Sequence, residues 1–497
     1  MEKNNRVLLA SFYQPKSIAL RYLEHALEAA GFEVWVVAFK KLSHVPQNPT
    51  ETELQHFLSL IKKHDPLFVG FSLPSSFYLE IVINLSELVK SQTSTSLVWG
   101  GIYPTLHAKR CLRHCDYVIR GEAEEAVVEF ASKLRDKESI REVENLSFLE
   151  DGEVVSNPVR KLEPELDNLK MAQVGKQNKY YIESNKLLHT DFVQSSHNYE
   201  TSCSRGCPYA CSYCTSNGLK QLYKGSKYVR FRSVANVIDE LRDAKKRMKL
   251  LSTVYFYDEI FSVDPNWIDE FCARYKAEIG LPFGIWGHPT WINFELISKL
   301  RRAGLYYVSM GVQSGSPNVR RNAFKRAGTN DQILTAATAL VKANVPWVRY
   351  EFICRHPYEH LEDVIETYEL CAKIPGKFSL RIFDLRYLPG TEIAKMAVQD
   401  RFYTEEEMEK LMYAPMDEQY AGWFGKSTSN DAIDFWINLT YLTQYKFMKG
   451  MANRLAKKGA NERTIKQARR YNRLCKKTET LQNYWTKIRM FLRGIFK

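Results

Sequence analysis

Glu200-Thr201-Ser202-Cys203-Ser204-Arg205-Gly206-Cys207-Pro208-Tyr209-Ala210-Cys211-Ser212-Tyr213-Cys214 is the stretch on which the reading of this chain turns. Cys207, Cys211 and Cys214 stand in a C-x3-C-x2-C spacing, and Cys203 precedes them. Three thiolates so spaced can wrap three corners of an iron–sulfur cubane, whose usual ligands are cysteine sulfurs. The fourth iron then has no protein ligand, and an open metal position is where a reactant binds. With Cys203 as a fourth ligand, the same spacing also admits a structural zinc. Cys111, Cys115, Cys272, Cys354, Cys371 and Cys475 are scattered, which argues against a disulfide framework.

Upstream, apolar runs alternate with amphipathic ones. Strands are expected at Val7–Ser11, Glu33–Phe39, Leu67–Ser72, Ser96–Gly100 and Tyr117–Arg120. Helices are expected at Ile18–Ala30, Leu54–Ile61, Leu79–Val89 and Glu124–Leu134. This alternation predicts an α/β fold with a doubly wound parallel sheet over residues 1–140, which takes ligands at the carboxyl ends of its strands. Ser72 and Ser75 follow the third strand, Gly100, Gly101, Tyr103, Pro104 and Thr105 the fourth, and Gly121 and Glu122 the fifth. Glycine there lets a ligand approach the backbone closely, and hydroxyls can hold its polar edge; ordinary strand–helix turns would use the same residues.

Glu150-Asp151-Gly152-Glu153 reads as the turn of a hairpin, and residues 157–195 as a surface linker, so 141–195 separate two units. A second α/β region spans 196–400, with strands at Val254–Tyr257, Phe283–Trp286, Tyr306–Met310, Trp347–Phe352 and Leu380–Leu385. Strands that start just after a cysteine loop suggest a partial barrel. Residues 401–497 read as helical.

The net charge of +13 is concentrated. From Tyr441 to Lys497, 16 Lys and Arg face only Glu462 and Glu479, which accounts for essentially the whole excess. Tyr484, Trp485, Ile488, Phe491, Leu492, Ile495 and Phe496 recur there at helical spacing among Lys487, Arg489, Arg493 and Lys497. Such a helix suits a membrane interface, and equally packs its apolar stripe on the protein. No apolar run approaches the roughly 20 residues of a membrane span, and the N-terminus lacks a secretory core. The chain is therefore read as cytoplasmic, with peripheral contact at the inner membrane face as the variant the tail suggests.

Arg205-Gly206-Cys207-Pro208-Tyr209-Ala210-Cys211-Ser212-Tyr213-Cys214 resembles the signature loop of the radical S-adenosylmethionine superfamily. Further segments resemble that family in order: Val254–Phe261 with the acidic pair Asp258-Glu259, Gly311–Ser316, Phe352–Glu359 and Leu388-Pro389-Gly390-Thr391. The chain departs from the pattern at Gln313, where Glu is common, and at Arg355 and Tyr358, where glycines are common. With Gly100–Thr105 and Asp116–Glu122, the whole resembles the cobalamin-binding branch, class B methyltransferases included, over about residues 5–400. The resemblance implies a [4Fe–4S] cluster on Cys207, Cys211 and Cys214. It implies S-adenosylmethionine beside Tyr213, Asp258 or Glu259, Gln313, Ser314 and Leu388, and cobalamin at Ser72, Ser75, Gly100, Gly101, Tyr103, Pro104, Thr105, Gly121 and Glu122. No D-x-H-x-x-G sequence occurs, so no histidine is expected to replace the lower cobalt ligand.

The implied reaction is methylation of an unactivated carbon through a 5′-deoxyadenosyl radical, with a flavodoxin- or ferredoxin-type electron donor and a small-molecule or lipid substrate. A non-methylating cyclisation or oxidation uses the same cofactors. A zinc-stapled nucleic-acid-binding protein is the alternative from another class; on the enzyme reading no nucleic acid is expected. Trp286, His288 and Trp291, near a strand end, could line a substrate cavity or belong to the core.

Overall fold

The computed structural model describes residues 4–42, 47–423 and 430–476. The amphipathic segment 484–496 lies outside them. The chain forms two compact units, one of Met1–Pro208, Tyr213–Leu251 and Tyr387–Tyr420, the other of Tyr209–Ser212, Ser252–Arg386 and Ala421–Lys497.

The first unit is built on β1 (Arg6–Phe12), α1 (Ile18–Ala29), β2 (Glu33–Phe39), α2 (Glu51–His64), β3 (Phe68–Ser72), α3 (Leu79–Gln92), β4 (Ser96–Gly100), the short helices α4 (Ile102–Leu106) and α5 (Ala108–Cys111), β5 (Tyr117–Ile119) and α6 (Glu124–Asp136). The hairpins β6 (Leu146–Glu150)–β7 (Glu153–Ser156) and β8 (Lys179–Glu183)–β9 (Lys186–Leu188) complete a sheet of order β7-β6-β5-β4-β3-β1-β2-β8-β9. β5, β4, β3, β1, β2 and β8 run parallel, and the order reverses between β1 and β3. The crevice at such a reversal is the ligand side of an open α/β sheet. Apolar layers on both faces, with Trp99 and Phe57 in one and Phe68 and Phe130 in the other, explain the near-continuous hydrophobic strands.

The region 157–195 departs from expectation. Its Lys179–Ile182 segment is buried and extends the parallel sheet beside β2. Lys179 hides the pattern, because its ammonium is neutralised by the buried Glu24 of α1.

After β10 (Asn198–Thr201), the two-residue strands β11 (Ser204–Arg205) and β12 (Arg230–Phe231) pair antiparallel around the cysteine loop and α7 (Ser216–Leu222), and α8 (Val234–Arg247) follows. Helices α13 (Glu392–Gln399), α14 (Glu405–Tyr413) and α15 (Met416–Trp423) follow later in the chain, and Met416 joins the first unit's core.

In the second unit, β13 (Thr253–Phe256), β14 (Phe283–Gly287), β15 (Leu305–Gln313), β16 (Trp347–Cys354) and β17 (Ser379–Asp384) pair consecutively, all parallel. The crossovers hold α9 (Pro265–Arg274), α10 (Phe294–Ala303), α11 (Asn330–Lys342) and α12 (Leu361–Lys373). Their starts are written in the sequence: Asp264 caps α9 with Pro265 at its first turn, and Thr329 and Gln332 form a capping box on α11. α16 (Asp431–Leu442) and α17 (Lys446–Lys458) follow, and Phe435, Leu439 and Leu455 share a core with Tyr368 of α12. Among the described residues no helix is long and apolar enough to cross a membrane.

Candidate functional site

In the first unit, the loops after β3, β4 and β5 are stitched to one another. The Leu73 N–H donates to the Gly100 carbonyl at 2.8 Å, and the Tyr103 N–H to the Leu73 carbonyl at 3.2 Å. Gly101 sits at φ +106°, where a Cβ would lie 2.7 Å from the Leu73 oxygen, so only glycine closes this turn. Thr105 Oγ1 donates to the Gly101 carbonyl at 2.7 Å and accepts the Gly121 N–H at 2.8 Å, tying the β4 loop to the β5 loop. Ser75 caps the turn Ser76–Tyr78 through the Phe77 N–H. Tyr103, Pro104 and Thr105 are buried, while Ser72, Gly100, Gly101, Gly121 and Glu122 are half-buried. All nine residues expected to meet cobalamin thus lie at the carboxyl ends of β3, β4 and β5 or in the segments that follow them. Thr105 and Glu122 spend their polar atoms on the protein, since Arg205 and Arg230 occupy the Glu122 carboxylate.

The cysteine loop has a tight root. Gly206 has φ +89°, and a Cβ there would meet the Tyr228 carbonyl oxygen at 2.3 Å. Cys203 is fully buried and its carbonyl accepts the Arg232 N–H, whereas Cys207 and Cys214 are half-buried. α7 begins two residues past Cys214 and packs on α4, with Gly218 close against Leu106. Tyr213 is half-buried, and the Leu388 carbonyl accepts the Thr391 hydroxyl at 2.7 Å.

In the second unit, Tyr209 stacks on His288 at 4.1 Å and shares a 2.6 Å hydroxyl contact with Thr290. Ser212 is anchored to the Phe324 carbonyl through its N–H and to the Ala323 carbonyl through its hydroxyl. The Arg326 guanidinium lies 3.7 Å from the Cys211 sulfur and is held by the Gly311 carbonyl, a fixed positive charge where an iron-bound thiolate would be negative. Among the described residues no three His, Cys, Asp or Glu side chains converge on one point, as a single ion would require. A cubane distributes its thiolates over three irons, and three cysteines on a short loop, one beside a guanidinium, fit that donor set.

Of the expected S-adenosylmethionine contacts in this unit, Asp258 is buried and Glu259 exposed, so the two acids of the pair are not equivalent. Gln313 ends β15 at φ +72°, beyond a register shift against β16. Ser314 is fully buried with its hydroxyl against Thr367, and its carbonyl accepts Arg320. Tyr255, Trp286, Tyr307 and Trp347 meet edge to face along successive strands, with Tyr257 stacked on Trp286 at 4.3 Å and Arg349 over the Tyr307 ring. His288 is buried with Nε2 unpaired, and burial, helped by Arg326, pushes it down to about 3, so its ring is neutral. Sequence reasoning missed Arg326, whose relation to Cys211 bridges more than a hundred residues, and the unpaired buried ring of His356. It also missed the pairing of Arg205 with Glu122, although Arg205 lies two residues before Cys207.

Residues 201–371 match the radical SAM superfamily, and residues 6–131 match the B12 binding domain. The chain is a radical S-adenosylmethionine enzyme with a B12-binding domain, and these domains imply a [4Fe–4S] cluster, S-adenosylmethionine and cobalamin. An uncharacterised methyltransferase of Pyrococcus horikoshii is 25% identical over 68% of this chain and 71% of its own length. The cytidylyl-2-hydroxyethylphosphonate methyltransferase of Streptomyces wedmorensis is 23% identical over 78% and 79%. The anaerobic magnesium-protoporphyrin IX monomethyl ester cyclase of Rubrivivax gelatinosus is 24% identical over 73% and 62%. Among solved structures, the radical S-adenosylmethionine methyltransferase TsrM of Kitasatospora setae, with tryptophan and a cofactor analogue bound, has a TM-score of 0.63 at 18% identity, covering 80% of this chain and 76% of that one. The cobalamin-dependent enzyme OxsB has a TM-score of 0.65 at 15% identity, covering 95% and 71%. These likenesses establish the fold.

Proposed function

We propose that this enzyme methylates an unactivated carbon of a large apolar substrate of the lipid, terpenoid or tetrapyrrole class. The observation that carries this reading is the presence, in one compact unit, of the stitched β3–β5 loops and of Cys207 and Cys214 on a loop rooted beside them. When bound, the cluster and S-adenosylmethionine supply a hydrogen-abstracting radical, and cobalamin carries the methyl group. The chain's own part is placement. Cys207, Cys211 and Cys214 would hold the cluster, with Arg326 offsetting negative charge at Cys211. Asp258 would bind the S-adenosylmethionine ammonium, and the stitched β3–β5 loops would hold cobalamin. The aromatic face of Tyr255, Tyr257, Trp286 and Tyr307 supports an apolar substrate, and Arg349 beside it supports one with a carboxylate or phosphate. Two relatives are named as magnesium-protoporphyrin monomethyl ester cyclases and one as a bacteriochlorophyllide methyltransferase, which favours the tetrapyrrole member of the class.

The protein purified anaerobically and reconstituted with iron and sulfide should carry about four irons, bind cobalamin and release 5′-deoxyadenosine under a strong reductant. Zinc without sulfide, or no deoxyadenosine, overturns the proposal. Cyclisation is the second reading, favoured by the cyclase relatives, and product mass decides: a gain of one methylene unit supports methylation. The basic tail supports peripheral membrane contact. Deleting residues 480–497 should abolish liposome binding without changing iron content; unaltered binding removes that part.

A further inference from the structure

Four charged side chains of the first unit meet where the cysteine loop is rooted. Arg205, two residues before Cys207, donates Nη1 to Glu122 at 2.9 Å and Nη2 to Glu124 at 2.6 Å. Arg230, its partner across the β11–β12 pair, forks onto the same Glu122 and donates Nη1 to the Glu163 carbonyl at 2.6 Å. Glu122 lies in the loop that leaves β5, directly after Gly121, and Glu124 opens α6. Arg230 is 1% exposed, and the Tyr22 ring covers the Arg205 guanidinium at 4.4 Å. Burial opposes the charge on Arg205, but Glu124 and Glu122 outweigh it and hold the guanidinium above its ordinary value.

The other side of the cysteine loop is tied to the same place. Tyr223, one residue past α7, accepts the Glu122 N–H at 2.7 Å, and its oxygen fills the space a Cβ on Gly121 would need. The loop is therefore clamped, before Cys207 and after Cys214, to the segment that follows β5. A surface ion pair would hold two long side chains loosely. Two planar guanidinium groups sharing one partly buried carboxylate fix direction as well as distance.

We propose that Glu122, Glu124, Arg205 and Arg230 are positioning residues that set the separation and orientation between the cluster on the cysteine loop and the cobalamin on the β3–β5 loops. This rests on the cofactor assignments proposed above. A fold needing only stability would gain as much from apolar packing there, because burying charges forfeits hydration. The network instead fixes one register between two loops, and reactions through reactive intermediates are sensitive to such placement.

The test uses the reconstituted full chain with cobalamin, reduced so that the cluster and cob(II)alamin are both paramagnetic. The readout is the enhancement of cob(II)alamin spin relaxation by the cluster, which needs no substrate. In Glu122→Gln, at unchanged iron, sulfide and cobalamin content, the enhancement should change by at least about two-fold and become heterogeneous. If Glu122→Gln does not fold, the double variant Glu122→Gln, Arg230→Met removes one charge of each sign and serves instead. Arg205→Lys, which keeps the charge and loses the fork, should fall between wild type and Glu122→Gln. The control is Glu24→Gln, which breaks the buried pair with Lys179 at the β8 edge; it should lower the melting temperature and leave the relaxation unchanged. Relaxation equal to wild type in Glu122→Gln with both cofactors bound would make the network merely structural and overturn the inference. A wild-type protein that retains no cluster or no cobalamin overturns the assignments themselves, and the inference with them.

Discussion

Glu359, in the turn between β16 and α12, makes stability depend on pH in an unusual sense. Its side chain is 6% exposed, Oε1 has no partner, and Oε2 accepts the Arg355 N–H at 2.9 Å. Burial pushes its carboxyl up from 4.5 to about 7; Asp363 adds to the rise, and the Arg355 N–H offsets part of it. Below the unfolded value both states are protonated and nothing is lost. As pH rises from 4.5 towards 7 the unfolded chain gives up its proton while the folded chain keeps it, so stability falls; above that range the loss is complete. At roughly 1.4 kcal/mol per pH unit, the full loss is about 3 kcal/mol. Glu359→Gln preserves the shape and the acceptor for Arg355 and cannot ionise. It should match wild type near pH 4.5 and exceed it by up to about 3 kcal/mol at pH 8. Urea unfolding followed by tryptophan fluorescence at pH 5, 6, 7 and 8 measures this gap in the transition of the second unit. A gap that stays constant across that range, or closes as pH rises, refutes the reasoning.

Gly101→Ala forces a Cβ into a left-handed turn 2.7 Å from the Leu73 oxygen, so it should cost about 1–3 kcal/mol and reduce cobalamin retained after gel filtration, read by absorbance. Replacing Cys207, Cys211 or Cys214 by alanine should each abolish the cluster absorbance, whereas Cys203→Ala should keep the wild-type iron content; iron lost with Cys203 would revive a four-cysteine site. Asp258→Asn should weaken S-adenosylmethionine binding by about ten-fold or more in equilibrium dialysis, the value of a charge-assisted hydrogen bond, while Glu259→Gln leaves it unchanged.

The strands of the first sheet were legible because apolar layers cover both faces, which makes them near-continuous apolar runs such as residues 68–71. The cysteine spacing was legible because Cys207, Cys211 and Cys214 lie on one short loop, so the pattern is local in the chain. β8 was not, since a strand whose edge lysine is neutralised by Glu24, far away in sequence, shows no simple alternation. Nor could the segment show that Ser314 turns into the joint with Thr367, that Asp258 is buried and Glu259 exposed, or that Arg326 reaches Cys211. Periodicity and loop spacing follow from neighbours along the chain and can be read from order alone. Partnerships such as Arg205 with Glu122 join residues some eighty positions apart. Chain order cannot encode which distant charge will be closest once the backbone is packed, because many pairings have the same composition and only the folded arrangement selects one.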